Sequence, residues 1–105
     1  MELADYVADV KKYTSNVNEA AVVAIVKYCG IALRGADSRY VSVSDPAEVK
    51  RVVDGFAAKK LGLDAKAADA AVRAAGEKMK ADKTKSRVTV YYLVAESTKT
   101  MAKLA

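Results

Sequence analysis

Apolar residues recur along this chain at the spacing of helices rather than of strands. Leu3, Tyr6, Val7, Val10 and Tyr13 fall at i, i+3, i+4, i+7 and i+10, one face of an α-helix. A polar break at Thr14, Ser15, Asn16 and Asn18 follows, with Asn16 three residues before Glu19 in the manner of a capping box. From Glu19 to Leu33 the chain is apolar nearly all round, which predicts a second helix at the buried centre of the fold. Arg34 and Gly35 supply its stop: a cation suits the negative helix end, and glycine accepts the left-handed residue beyond it.

The loop expected from Ala36 to Ser44 contains Tyr40-Val41-Ser42-Val43, an alternation that makes a strand only if a second strand lies beside it. Asp45-Pro46-Ala47-Glu48 then marks a helix start, with aspartate as cap, proline at the first helical position and glutamate at the third. Val49, Val52, Val53 and Phe56 give this third helix its inner face, and Gly62-Leu63 reads as its glycine stop. Asp64 caps a fourth helix whose thin apolar face is Ala68, Ala71, Val72, Ala75 and Met79. On its other side Lys66, Asp69, Arg73, Glu77 and Lys80 alternate in sign, a stripe of solvent-side ion pairs.

The last segment, Arg87 to Leu104, carries two conflicting signals. Arg87 to Val94 is rich in β-branched and aromatic residues, which favours a strand. Yet Val88, Tyr91, Tyr92 and Ala95 continue to Ala102 at helical spacing, and the only candidate partner strand is the short one at Tyr40. We read a fifth helix beginning near Ser86. The expectation is an all-α fold of about five helices in a single domain, residues 1–105, with pairing of 40–43 with 88–92 as the alternative for those two segments.

Composition narrows the chemistry. A chain of 105 residues can bury roughly two thirds of its unfolded surface without covalent staples. Lone Cys29 cannot form an intramolecular disulfide and points to a reducing, cytoplasmic setting. The opening Met1-Glu2-Leu3-Ala4-Asp5 lacks the features of a secretory signal, and the longest apolar run is broken by Lys27, short of the ~20 residues that span a bilayer. Histidine is absent, which removes imidazole bases, Ser-His and Cys-His pairs and every histidine-containing zinc site. Gly30 to Gly35 has the glycine spacing of a phosphate-binding loop but continues with Ala36-Asp37 where Lys and Ser/Thr are required. No catalytic residue, metal site or cofactor is therefore assigned. An enzyme of unrecognised type would have to rely on lysine, tyrosine and carboxylates.

Charge is unevenly distributed. Residues 1–48 carry five basic and seven acidic groups, net −2, whereas residues 49–105 carry thirteen and six, net +7. Within this, Arg73 to Arg87 holds six basic against two acidic groups. Lys78, Lys80, Lys83, Lys85 and Arg87, followed by Tyr91 and Tyr92, form a candidate polyanion or nucleic-acid site, with lysines for phosphate and rings for stacking. The competing reading is a solvated connection between helices followed by core tyrosines. The chain has six tyrosines, one phenylalanine and no tryptophan, and tyrosines on apolar faces more often sit at the core edge than bind ligands. The leading expectation is a non-enzymatic interaction protein, as a homo-oligomer or with a protein partner; nucleic acid is the second class of partner.

The run from Met79 through Lys83, Arg87 and Tyr91 to Leu93 resembles the signature of a family of small bacterial proteins known only as a domain of unknown function. Ala4-Asp5-Tyr6, Val10 to Tyr13, Gly30 to Leu33, Val41 to Asp45 and Lys59 to Leu63 are similar to other stretches of that family, so the resemblance covers nearly the whole chain. It implies a multihelical fold and a bacterial cytoplasmic setting, and no activity or site residues.

Overall fold

Residues 3–35 and 38–104 are described in a computed structural model, Ile31 without its side chain. Ala36 and Asp37 of the expected loop lie outside these residues, as do Met1 and Glu2. Five helices account for the fold: α1 (Leu3–Lys11), α2 (Glu19–Cys29), α3 (Pro46–Val52), α4 (Ala65–Lys78) and α5 (Arg87–Ser97). A 3-10 turn, Gly30–Arg34, prolongs α2, a π-helical segment, Val53–Lys60, prolongs α3, and a 3-10 turn, Met101–Leu104, closes the chain. The described residues contain no strand, only one antiparallel bridge between Tyr40 and Ser86. The fold is all-α, in one globule with a radius of gyration of 12.1 Å.

Local chemistry sets most helix starts. Asp45 accepts from the Ala47 N–H at 2.9 Å with Pro46 behind it, and Asp64 accepts from the Ala67 N–H at 2.8 Å. Glu48 does not complete a capping box, because the Asp45 N–H is already donated to Ser42 O and the carboxylate takes Arg51 at 3.0 Å. Before α2 the expected cap is corrected: Asn18, not Asn16, accepts from the Ala21 N–H at 3.1 Å, while Asn16 turns the chain at φ 54°. The stop of α2 also moves. Gly30 takes φ 50°, whereas Gly35 is extended at φ −80°, so the α-helix ends at Cys29 and tightens into the 3-10 turn.

The prolongation of α3 is wide rather than tight. Its i→i+5 bonding is seen where the Leu61 N–H reaches Phe56 O at 3.2 Å. A wider coil rotates less per residue, so apolar positions four apart stay on one side, and Val49, Val53, Ala57 and Leu61 are all buried. Gly62 at φ 70° then reverses the chain, and the Leu63 N–H returns to Ala57 O at 3.0 Å. This is the expected glycine stop, formed on a wider last turn.

The centre of the molecule is α5, which corrects the expectation for α2. Val88 to Ala95 are buried without interruption, and α5 packs against α1, α2, α4 and the wide segment. On α2 only Ala21, Val22 and Ile25 are buried; Ala20 is exposed, and Val23 and Ala24 are half-buried. Polar groups on α5 survive burial because distant segments satisfy them. The Thr89 hydroxyl donates to an Asp9 carboxylate oxygen on α1, and the Tyr92 hydroxyl accepts from the Asn18 N–H at 2.9 Å. The last helix is also shorter than expected, stopping at Ser97 where Thr98 bonds back to Val94 O at 2.7 Å and Lys99 takes φ 58°.

The ambiguous segments 40–43 and 88–92 do meet the question of pairing, one turn upstream of where it was posed. The Val41 N–H donates to Lys85 O at 2.9 Å and the Arg87 N–H to Arg39 O at 2.8 Å, just before α5 begins. Ser86 makes no side-chain cap, so this bridge satisfies an N–H that the start of α5 would otherwise leave open. No helix among the described residues is long and apolar enough to cross a membrane.

Candidate functional site

Held by that bridge, residues 40–46 lie across α4 and approach its backbone closely. A Cβ on buried Gly76 would stand 2.7 Å from Val43 Cγ2 and 3.0 Å from Val43 Cβ, so glycine is what lets this segment seat. The seating opens a trough on either side of Val43. Toward α3, a cleft of about 350 Å³ has Val43, Val49 and Val53 in its lining and two ion pairs at its edges. Lys50 holds Asp54 at 3.3 Å on the α3 side, and Arg73 holds Asp69 at 2.7 Å on the α4 side.

Beyond Arg73 the trough continues as a second depression of about 270 Å³ over Gly76, edged by Glu77, Lys80 and Lys85. Lys85 is shared with a third depression of about 300 Å³, where Lys83, Thr84, Tyr40 and Glu48 stand around Ser42. The electrostatics change along the way. At the α3 end each carboxylate has its own cation; at the 80–85 end three lysines face Glu77 and Glu48, and Glu48 is already engaged by Arg51.

The basic stretch singled out in the sequence is divided by the fold. Lys80, Lys83 and Lys85 stand around the trough, with Lys80 at 3.3 Å from Glu77 and Lys85 donating to Asp82 O at 2.6 Å. Lys83 is exposed and has no ion pair among the described residues. Lys78 faces away, 3.9 Å from Glu96 on α5. Arg87 turns inward and uses all three of its guanidinium nitrogens: Nε donates to Ser38 O at 2.6 Å, Nη1 to the Tyr91 hydroxyl at 3.0 Å and Nη2 to Tyr40 O at 3.4 Å. A cation at a helix N-terminus is opposed by the helix dipole, and these acceptors offset that cost.

Tyr91 and Tyr92 correct the stacking expectation, because both are core residues. The Tyr91 ring lies on Phe56 at 4.1 Å between centroids, and Tyr92 is 1% exposed. Neither offers a face to a base. The trough that replaces them was not foreseen. Its sequence signals were the buried repeat at Val49, Val53, Ala57 and Leu61 and the glycine in the apolar face of α4 at Gly76.

The titratable groups with shifted pKa values do not line the trough: they are Tyr6 on α1, Cys29 at the end of α2 and Tyr91 on α5. Burial raises Cys29 from 9.0 to about 11, against the lowering effect of Arg87. Burial likewise raises Tyr91, opposed by the charge and hydrogen bond of Arg87, and raises Tyr6, opposed by Arg39. All three shifts favour the neutral form, so none prepares a nucleophile or base for neutral pH. Among the described residues no group of three or more Cys, Asp or Glu side chains could hold a metal ion.

The thiol shift has a measurable consequence. Alkylation of native Cys29 should follow a titration centred near pH 11. At pH 8 that leaves about a hundredfold less thiolate than an unshifted thiol would carry. Because its folded value is raised, the stability that the neutral Cys29 thiol lends is complete below pH 9 and is lost as the pH climbs through about 11. Iodoacetamide kinetics across pH check this, and a midpoint at or below 9 would show that burial does not control the thiol.

Fold and site together define an all-α protein with a partly apolar trough, ion-paired at one end and basic at the other. The chain belongs to the family described as protein of unknown function DUF2853, whose profile matches residues 5–102. No curated protein matches the chain.

Proposed function

We propose that this protein is a non-enzymatic interaction module of the cytoplasm that receives a partner polypeptide at the face framed by α3, α4 and residues 40–46. The observation that carries the reading is the trough itself, a cleft of about 350 Å³ between α3 and α4 that has half-buried Val43 and the edges of buried Val49 and Val53 in its lining. Reactive groups pushed toward their neutral forms agree with a binding role. Nucleic acid is the second reading, supported by Lys80, Lys83 and Lys85 around the same trough and weakened by the burial of Tyr91 and Tyr92.

Photo-cross-linking tests the module. A photoreactive side chain at Ala65, exposed at the edge of the trough, should give a discrete protein adduct in cells producing the protein, while one at exposed Glu19 on α2 should not. An adduct of twice the chain mass would identify a second copy as the partner. Equal, diffuse labelling from both positions would remove the reading.

A further inference from the structure

The trough has three features that together specify an occupant, and the inference from them rests on the interaction reading above. First, its α3 end is small and partly apolar, Val43, Val49 and Val53 sharing the lining with two ion pairs. A cleft of about 350 Å³ is at the low end of the ~300–1,000 Å³ typical of ligand clefts, room for one bulky side chain rather than for a large cofactor. Second, Asp54 and Asp69 at its edges are each paired with a cation, Lys50 and Arg73, in exposed pairs that partly offset the carboxylate charge beside an entering apolar group.

Third, Val43, Ser44 and Arg73 are shared with the adjoining depression edged by Lys80 and Lys85, and Lys85 is shared in turn with the depression beside Lys83. Lys80 is tied to Glu77 by an exposed pair, the kind worth under about 1 kcal/mol, and can swing to a better acceptor. A ligand matching this sequence of surfaces carries an apolar anchor at one end and carboxylates beside it. A nucleic acid would satisfy the lysines and leave the valine cleft empty.

We infer that the trough binds a short acidic segment of a partner protein, with one aromatic or large aliphatic side chain seated over Val49 and Val53 and its carboxylates on Lys80, Lys83 and Lys85. Truncated apolar anchors lose most of such an interaction, and charge reversal at the rim changes both affinity and its salt dependence.

The test is fluorescence anisotropy with a labelled peptide of Glu and Ser residues around a single central Phe, measured against the full chain. Two further peptides replace Phe by Ser or every Glu by Gln, and a single-stranded oligothymidine serves as the polyanion. The acidic, anchored peptide should bind with a dissociation constant below roughly 1 mM and weaken as salt rises. The Ser and Gln peptides should each bind on the order of tenfold more weakly. Lys83→Glu/Lys85→Glu should cause a similar loss, as should Ala65→Trp, which fills the cleft from an exposed position. Circular dichroism confirms that both variants keep the helical fold, and Lys80→Glu/Lys83→Glu, altering two exposed residues, replaces the first if it does not. Equal binding of the Gln peptide, indifference to charge reversal, or oligothymidine displacing the peptide at lower concentration would overturn the inference. A specific adduct at Ala65 without acidic-peptide binding would leave the interaction module standing and sink only this choice of partner.

Discussion

Phe56→Ala should be the most destabilising single change in the wide segment, lowering stability by about 3–5 kcal/mol. The ring is 1% exposed, stacks on Tyr91 at 4.1 Å with an interplanar angle of 14°, and meets Tyr28 edge-on at 5.4 Å. Its loss leaves a cavity between the wide segment and α5 and removes two aromatic contacts, each worth about 0.5–1.5 kcal/mol beyond buried area. Since a domain of this size is held by only about 5–15 kcal/mol, the melting temperature should fall by more than about 10 °C. Phe56→Leu, which keeps most of the volume, should retain the larger part of the stability. Chemical denaturation of the three proteins provides the measurement. A loss under about 1 kcal/mol for the alanine variant would mean that Phe56 is not packed against α5.

Gly76→Ala should also destabilise, although alanine is the better helix former by about 0.8–1 kcal/mol. The added methyl meets Val43 at 2.7 and 3.0 Å, and valine cannot rotate away because its Cβ is among the atoms struck. Overpacking of this kind costs about 1–3 kcal/mol, so the net expectation is a loss of up to about 2 kcal/mol with displacement of residues 42–44. Adding Val43→Ala should restore part of it. A double-mutant cycle should show coupling of at least about 0.5 kcal/mol. A rise in melting temperature for the single variant would refute the close approach and, with it, the shape of the trough.

How much of this was legible in the sequence follows from the range of each interaction. The starts of α3 and α4 and the glycine stop at Gly62 depend on contacts within a few residues, such as Asp64 with the Ala67 N–H. Such contacts are visible as spacing. Asn18 took the cap from Asn16 because both are cap-formers two residues apart and the left-handed turn at Asn16 decides between them. The wide coil was concealed in a pattern that also suits an ordinary helix, since Val49, Val52, Val53 and Phe56 fit both periods until Ala57 and Leu61 are included.

The candidate site was legible only in part. Lys80, Lys83 and Lys85 do gather at one surface, but the trough between them and the valines is made by residues 40–46 crossing α4, a contact of more than thirty positions in sequence between Val43 and Gly76. Arg87, Tyr91 and Tyr92 have the composition of a binding surface and the position of a core. The Tyr91 hydroxyl takes Arg87 one turn back, but the guanidinium is otherwise satisfied by Ser38 and Tyr40 and the Tyr92 hydroxyl by Asn18, partners that no local pattern announces.

By itself, then, the sequence determined that the chain is helical, roughly where its helices begin and end, and which chemistries its missing histidines and single cysteine exclude. Only the tertiary structure decided which helix is central. An apolar circumference made α2 the natural candidate, yet its outer side leaves small Ala20 and amphipathic Tyr28 exposed and Val23, Ala24 and Val26 only half-buried. α5 carries the larger side chains, Tyr91, Tyr92 and Leu93, together with Thr89, and burying them on every side is favourable once Asp9 and Asn18 meet the polar groups from elsewhere in the chain. Burial is settled by the area a helix can remove from water and by whether its polar groups find partners, and the second of these is a property of the folded molecule.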